Sequence, residues 1–109
     1  MGLFQKNELV ELLERLTKWL LAIRAAYASG RKDEALDEIR KARALLAGSL
    51  GSSIERVDAS TVVALLGAER ARMYAELARV EAEVRLSMGD EAGARAASAR
   101  CDAVERATK

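Results

Sequence analysis

Most catalytic sites draw on a short menu of side chains, and this chain lacks the most versatile of them: it has no histidine. That removes the commonest general base, the usual activator of a nucleophile and the commonest metal ligand at once. Cys101 is the only cysteine. It can form no intramolecular disulfide, and without histidine it makes neither a thiol-protease dyad nor a zinc site. Glu81 and Glu83 stand two residues apart, a spacing that sends helical side chains to different sides rather than into a facing acid–base couple. A di-metal bundle needs a Glu-x-x-His element, which is absent. Gly48-Ser49-Leu50-Gly51 has neither the lysine nor the preceding strand of a phosphate-cradling loop. The residue types therefore predict no catalytic residue, no metal site and no cofactor, and they make Cys101 a packing residue.

Charge excludes two further classes. The 109 residues carry 18 Lys or Arg against 17 Asp or Glu, a net charge of +1. The signs are interspersed along the chain, unlike the one-signed field that binds nucleic acid or an anionic membrane. We expect no nucleic-acid partner and no membrane. No apolar run approaches the length of a membrane span. The opening Met1-Gly2-Leu3-Phe4-Gln5-Lys6-Asn7-Glu8 is too acidic and too patterned for a secretory signal, and Lys6 stands where a myristoylation motif needs Ser or Thr. With one cysteine, the expectation is a reducing, cytoplasmic location.

If side chains do no chemistry, the elements that carry them must supply a surface. Proline is absent and alanine makes up much of the apolar half of the composition, which favours long helices in close contact over a sandwich or barrel. A first helix is predicted from Phe4 or Asn7 to Ser29. Leu9, Leu12, Leu13, Leu16, Trp19, Leu20, Ile23 and Tyr27 fall within an arc of about 120° on it, the heaviest apolar face of the protein. Val10 and Leu21 lie off that arc on one line three turns apart, as surface apolars or a small second contact. Gly30 ends the helix, and a second runs to Ala47 with Ala35, Ile39, Ala42 and Leu46 facing inward and Leu36 beside them. Gly48–Ser53 is the one clear loop, with Ile54 and Val57 pinning its far end.

Asp58 is an N-cap for a short apolar helix over Ala59–Leu66. Past Gly67 a long helix runs from Ala68 to Met88 with two faces. Met73, Leu77, Val80, Val84 and Met88 form a core stripe; Ala71, Ala75, Ala78 and Ala82, ending in Leu86, form a second. The last helix, after Gly89, has one narrow face of Ala94, Ala97, Cys101 and Val104 and another of Ala92, Ala96, Ala99 and Ala103. The expected architecture is a single all-α domain over 1–109: hairpin 1 over about 4–47, a loop and short helix over about 48–67, and hairpin 2 over about 68–108.

One pattern occurs twice: a lone glycine, a few charged residues, and a restart on alanine five positions later, at Gly30/Ala35 and Gly89/Ala94. Trp19, Gly30, Ala35, Ile39 and Ala42 have the spacing of the large, glycine, small, large and small positions of a tetratricopeptide repeat, which the chain resembles. The second copy keeps Ala82, Gly89, Asp90 and Ala94 but has Ser98 and Cys101 where a large and a small apolar residue are usual. Contiguous repeats lie about 34 residues apart, whereas the two glycines are 59 apart, so an insertion separates the copies. The order of parts, with Phe4-Gln5-Lys6-Asn7 before a leucine-rich helix, is also similar to a bacterial helical family of unknown function.

The tetratricopeptide resemblance implies peptide binding on the inner surface of the first helix of each pair. That surface would hold Thr17, Leu20, Arg24 and Tyr27 in one pair, and Glu76, Arg79, Glu83 and Leu86 in the other. The interaction candidates are Arg24, Tyr27, Arg79 and Glu83. The spare alanine stripes, Ala71, Ala75, Ala78 and Ala82 with Ala92, Ala96, Ala99 and Ala103, are the candidate self-association face of a homodimer. The leading expectation is a non-catalytic adaptor, not an enzyme. The alternative is a small-ligand-binding or regulatory protein with a pocket near Trp19, Tyr27 and Tyr74.

Overall fold

The stop-and-restart pattern becomes, among the described residues, five α-helices joined by short turns. The structure, a computed structural model, describes residues 6–109, without the side chains of residues 6, 7 and 9. A helix start at Phe4 and the expected burial of Leu9 lie outside the described residues. Helix α1 spans Lys6–Ala28, α2 Lys32–Ala47, α3 Ala59–Leu66, α4 Ala68–Ser87 and α5 Glu91–Ala107. The stretch expected to be a loop is instead a 3-10 segment over Gly48–Arg56, broken by non-helical backbone at Gly51 (φ 52°, ψ −134°). No helix among the described residues is long and apolar enough to cross a membrane.

Both hairpin turns have the same geometry. Gly30 and Gly89 sit at φ 81° and 82°, the left-handed region that only glycine enters without a Cβ penalty. The residue after each glycine reaches back five positions: Arg31 N–H donates to Ala26 O and Asp90 N–H to Arg85 O, both at 2.9 Å. This satisfies carbonyls that a helix end would otherwise leave unpaired.

Pairs α1–α2 and α4–α5 pack antiparallel, α2 also packs on α4, and α3 bridges α4 and α5. Three contacts set the direction of α2 against α4. Lys32 Nζ donates to Ser87 O, Arg43 meets Glu81, and Arg70 donates to Leu46 O. Those helices are therefore antiparallel, and α1 runs parallel to α4. The molecule measures 44 × 25 × 22 Å.

The core follows the helical periodicities. Ala35, Leu36, Ile39, Ala42 and Leu46 of α2 are all buried, and so are Leu12, Leu16 and Ile23 of α1. Leu13, Trp19, Leu20 and Tyr27 are only half-buried, because α1 has neighbours on one side only. Ile54 is buried and Val57 packs against the core, closing the 3-10 segment as expected. In α3, Val62 and Leu66 face inward while Leu65 is exposed. Asp58 caps it, accepting from Thr61 N–H at 2.8 Å.

Helix α4 is central and buries both of its stripes: Leu77, Val80 and Val84 on one, Ala71, Ala75 and Ala78 on the other. Met88 and Leu86, the expected ends of those stripes, are exposed. Helix α5 buries Ala94, Ala97, Cys101 and Val104, its one narrow face.

Candidate functional site

Three features of this scaffold are built finely enough to have a role: a buried ion network, a zipper of charges between α1, α4 and α5, and a groove between α4 and α5.

The network begins at Arg43 on α2, with Glu81 on α4 and Arg85 one turn further on. Arg43 and Glu81 each expose only 11% of their side chains. Arg43 Nη1 donates to Glu81 Oε1, and Arg85 Nε donates to Glu81 Oε2 at 2.6 Å. Arg85 Nη1 reaches on to Asp90 Oδ2 at 2.9 Å, tying the network to the second hairpin turn. Burial alone would raise the Glu81 pKa, but the charge and hydrogen bond of Arg43, reinforced by Arg85, hold it below the usual carboxylate range.

Arg43 Nε lies 2.6 Å from Glu55 Oε1 as an ion pair without an aligned hydrogen bond. Glu55 also accepts from the Tyr74 hydroxyl at 2.7 Å, and that hydroxyl accepts from Arg100 Nε at 3.2 Å. Arg100 then donates to Ile54 O at 3.0 Å. The guanidinium carbons of Arg43 and Arg100 stand 6.0 and 5.5 Å from the Tyr74 ring centroid, within cation–π range. Burial and the Glu55 hydrogen bond push the Tyr74 pKa up to about 12. A cleft of about 250 Å³ opens above this network, lined by Arg43, Glu55, Ala78, Glu81, Ala96, Ala97 and Arg100. Its Arg43, Glu55 and Glu81 pair with one another, and Arg100 is taken up by Tyr74 and Ile54 O.

The zipper brings most of the interaction candidates together. Arg24 of α1 lies 3.4 Å from Glu76 and 4.0 Å from Glu83 on α4. Arg79 pairs with Glu76 at 2.6 Å and with Glu105 of α5 at 2.9 Å. Arg24 and Arg79, the cations of the surface that the tetratricopeptide resemblance implied, thus each meet a carboxylate of this chain. Tyr27 lies half-buried against the core. Of the three aromatics of the expected pocket, Tyr74 is fully buried and fills the core. Trp19 donates to Glu38 across the α1–α2 pair instead.

The groove is not legible in the sequence as such. Arg79, Ala82, Glu83 and Leu86 of α4 face Glu91, Ala94, Arg95 and Ser98 of α5 across about 560 Å³. It continues toward the other end of the pair past Arg72, Ala75, Glu76, Glu105 and Thr108. Small floor residues keep the two helices close, and Leu86, 61% exposed, stands at its mouth. A signal for it is present all the same: the sequence divides Arg79, Ala82 and Glu83 between two surfaces, and antiparallel pairing with α5 places them on one.

The alanine stripes divide. Ala71, Ala75 and Ala78 are buried within the chain, so they do not offer a free face. Ala92, Ala96 and Ala99 are exposed, while Ala82 and Ala103 are half-buried.

Cys101, Asp102 and Glu105 bring a thiol and two carboxylates within 4.8 Å of one another. Glu105 is already held by Arg79 and accepts from the Cys101 thiol at 3.1 Å. Burial and the neighbouring carboxylate push that thiol up to about 11, the behaviour of a packing residue rather than a reactive one.

No family model, curated protein or solved structure matches the chain.

Proposed function

We propose that the protein is a non-catalytic interaction module that receives a helical segment of a partner in the α4–α5 groove, and that it self-associates as a homodimer. The observation that carries the reading is the groove itself. It has half-buried Ala82 and buried Ala94 at its base, exposed Leu86 and Ser98, and rims of both signs from Arg79, Glu83, Glu91 and Arg95. Small residues between two helices let a third approach closely, and apolar anchors at helical spacing supply the affinity. Mixed rim charges favour a partner helix carrying both signs over a polyanion or a lipid surface. Two antiparallel pairs, with α4 parallel to α1 and matching glycine turns, support the tetratricopeptide-like reading of the scaffold.

The test is selection of binders from a displayed library of amphipathic helical peptides. Selected peptides should lose binding to Leu86→Glu and Ser98→Arg and keep it for Leu65→Glu, which alters an exposed leucine on α3. Peptides that bind all three variants equally, or a library that yields no binder, would overturn the groove.

A further inference from the structure

The most exposed large aliphatic in the described part of the chain is not on the alanine stripes but on α1, where Leu21 is 65% and Val10 47% exposed. The two lie three turns apart on one line. Exposed Glu14 and Thr17 lie between them and half-buried Leu13 and Leu20 lie beside them, so α1 carries a second, largely apolar strip beyond the face it turns to α2. Single exposed apolar residues need no explanation, but an aligned strip on a peripheral helix does.

The charges beside the strip say what fits it. Glu11 and Glu14 lie in its first half and Lys18 in its second. All three are exposed, and none makes an ion pair with another described residue. Val10 and Leu21 are symmetric about the point between Arg15 and Leu16, and Glu14 and Lys18 about Leu16, nearly the same centre. Leu13 and Leu20 are symmetric about a point half a residue further on. A helix with this arrangement is complementary to itself turned end over end. Antiparallel about that centre, Val10 meets Leu21 of a second copy and Leu13 meets its Leu20. Lys18 meets the second copy's Glu14, with its Glu11 on the outer side, and each contact occurs twice. In the parallel arrangement, acid meets acid and base meets base.

The geometry points to a twofold dimer formed by α1 against α1 of a second copy, antiparallel, with Val10, Thr17 and Leu21 in the seam and Glu14–Lys18 pairs at its rim. This rests on the self-association in the proposed function and moves the interface from the alanine stripes to α1. Twofold symmetry makes the contact close on itself rather than polymerise, and rim charges set its orientation as they do between paired helices. One helix from each copy is a small interface, so the dimer is weak, with a dissociation constant on the order of micromolar or above.

The experiment is sedimentation of the full chain from ~1 µM to ~1 mM, spanning that range, on the parent and on variants whose helical content is first matched by circular dichroism. The parent should move from monomer to dimer. Leu21→Glu should weaken the dimer about tenfold or more, as loss of a central apolar anchor does. Glu14→Lys and Lys18→Glu should each weaken it alone, because each sets like charges together. Mixing those two variants should give a dimer tighter than either forms alone, since the mixed pair places lysine opposite glutamate at both contacts between positions 14 and 18. A parent that stays monomeric throughout overturns both this interface and self-association, leaving the groove to its own test. A dimer that survives the α1 variants but is lost in Ala96→Glu or Ala99→Glu overturns the α1 interface alone.

Discussion

Arg43 and Glu81 show how much of the polar interior was hidden at the level of single residues. In the sequence, Glu81 reads as the start of an ordinary surface pair with Arg85, worth a few tenths of a kcal/mol. In the fold, α2 delivers Arg43 onto the same carboxylate and both side chains are nearly enclosed. Removing one partner of such a pair strands the other as a buried charge. Arg43→Met should therefore cost roughly 2–4 kcal/mol in urea unfolding, reduced from the full penalty by the remaining Arg85 bond. The double variant Arg43→Met/Glu81→Leu should recover most of that loss, and a single variant within about 0.5 kcal/mol of the parent would show the pair to be ornamental. The same carboxylate sets a pH dependence. Its folded pKa lies below the ordinary 4.5, so its contribution is fully present above pH 4.5. It is lost as pH falls from there through the lower folded value. Glu81→Gln should flatten the acid limb of a stability–pH profile; an unchanged limb would assign acid sensitivity to other groups.

At the scale of elements, helix boundaries were legible because their signals are local: glycine at a left-handed turn, Asp58 at a cap, apolar residues at helical spacing. The 3-10 segment was not, because its glycines and serines read as loop, and the expected pinning of Ile54 and Val57 leaves the turns before them undetermined. Arg70 was missed for a related reason. It belongs to neither stripe of α4 in sequence, yet the fold buries it against the ends of two helices, where it donates to Leu46 O of α2 and to Leu65 O and Leu66 O of α3. A cation there complements both helix dipoles. The start of α5 shows local and tertiary preferences in conflict. Asp90 accepts from Gly93 N–H at 2.9 Å, and a Cβ on Gly93 would overlap Asp90 Oδ2 and stand 2.9 Å from Arg85 Cδ. Alanine at that position gains about 1 kcal/mol of helix propensity but must push the cap aside, a loss of similar size. Gly93→Ala alone should thus leave thermal stability nearly unchanged, whereas in an Asp90→Ala background it should stabilise by about 1 kcal/mol. Equal effects in both backgrounds would mean that the cap moves freely.

For the whole molecule, the two stripes of α4 implied two neighbours, and the expectation from sequence gave the alanine stripe to a second copy of the protein. The pairing of α4 with α5 answers for Ala71, Ala75 and Ala78, which are enclosed by the chain's own helices. No periodicity reports this, because an alanine stripe looks the same to a helix of the same molecule and to one from a copy. The distinction is set by tertiary topology, and the groove became visible for the same reason only once α5 lay beside α4. The two halves of the alanine set should therefore answer differently to the same change. Ala78 is buried on α4, at the base of the cleft beside Glu81, Ala97 and Arg100, so Ala78→Leu must push three carbons in among those side chains and should cost about 1–3 kcal/mol. That corresponds to a fall of several degrees or more in melting temperature for a domain of this size. Ala96 is exposed on α5, and Ala96→Leu should stay within about 0.5 kcal/mol of the parent. Both variants are read in one thermal melt at fixed protein concentration, because a subunit interface would make the melting temperature depend on concentration. Equal destabilisation by the two substitutions would place Ala96 under cover as well, and the exposed alanines of α5 would then have to be counted as interface.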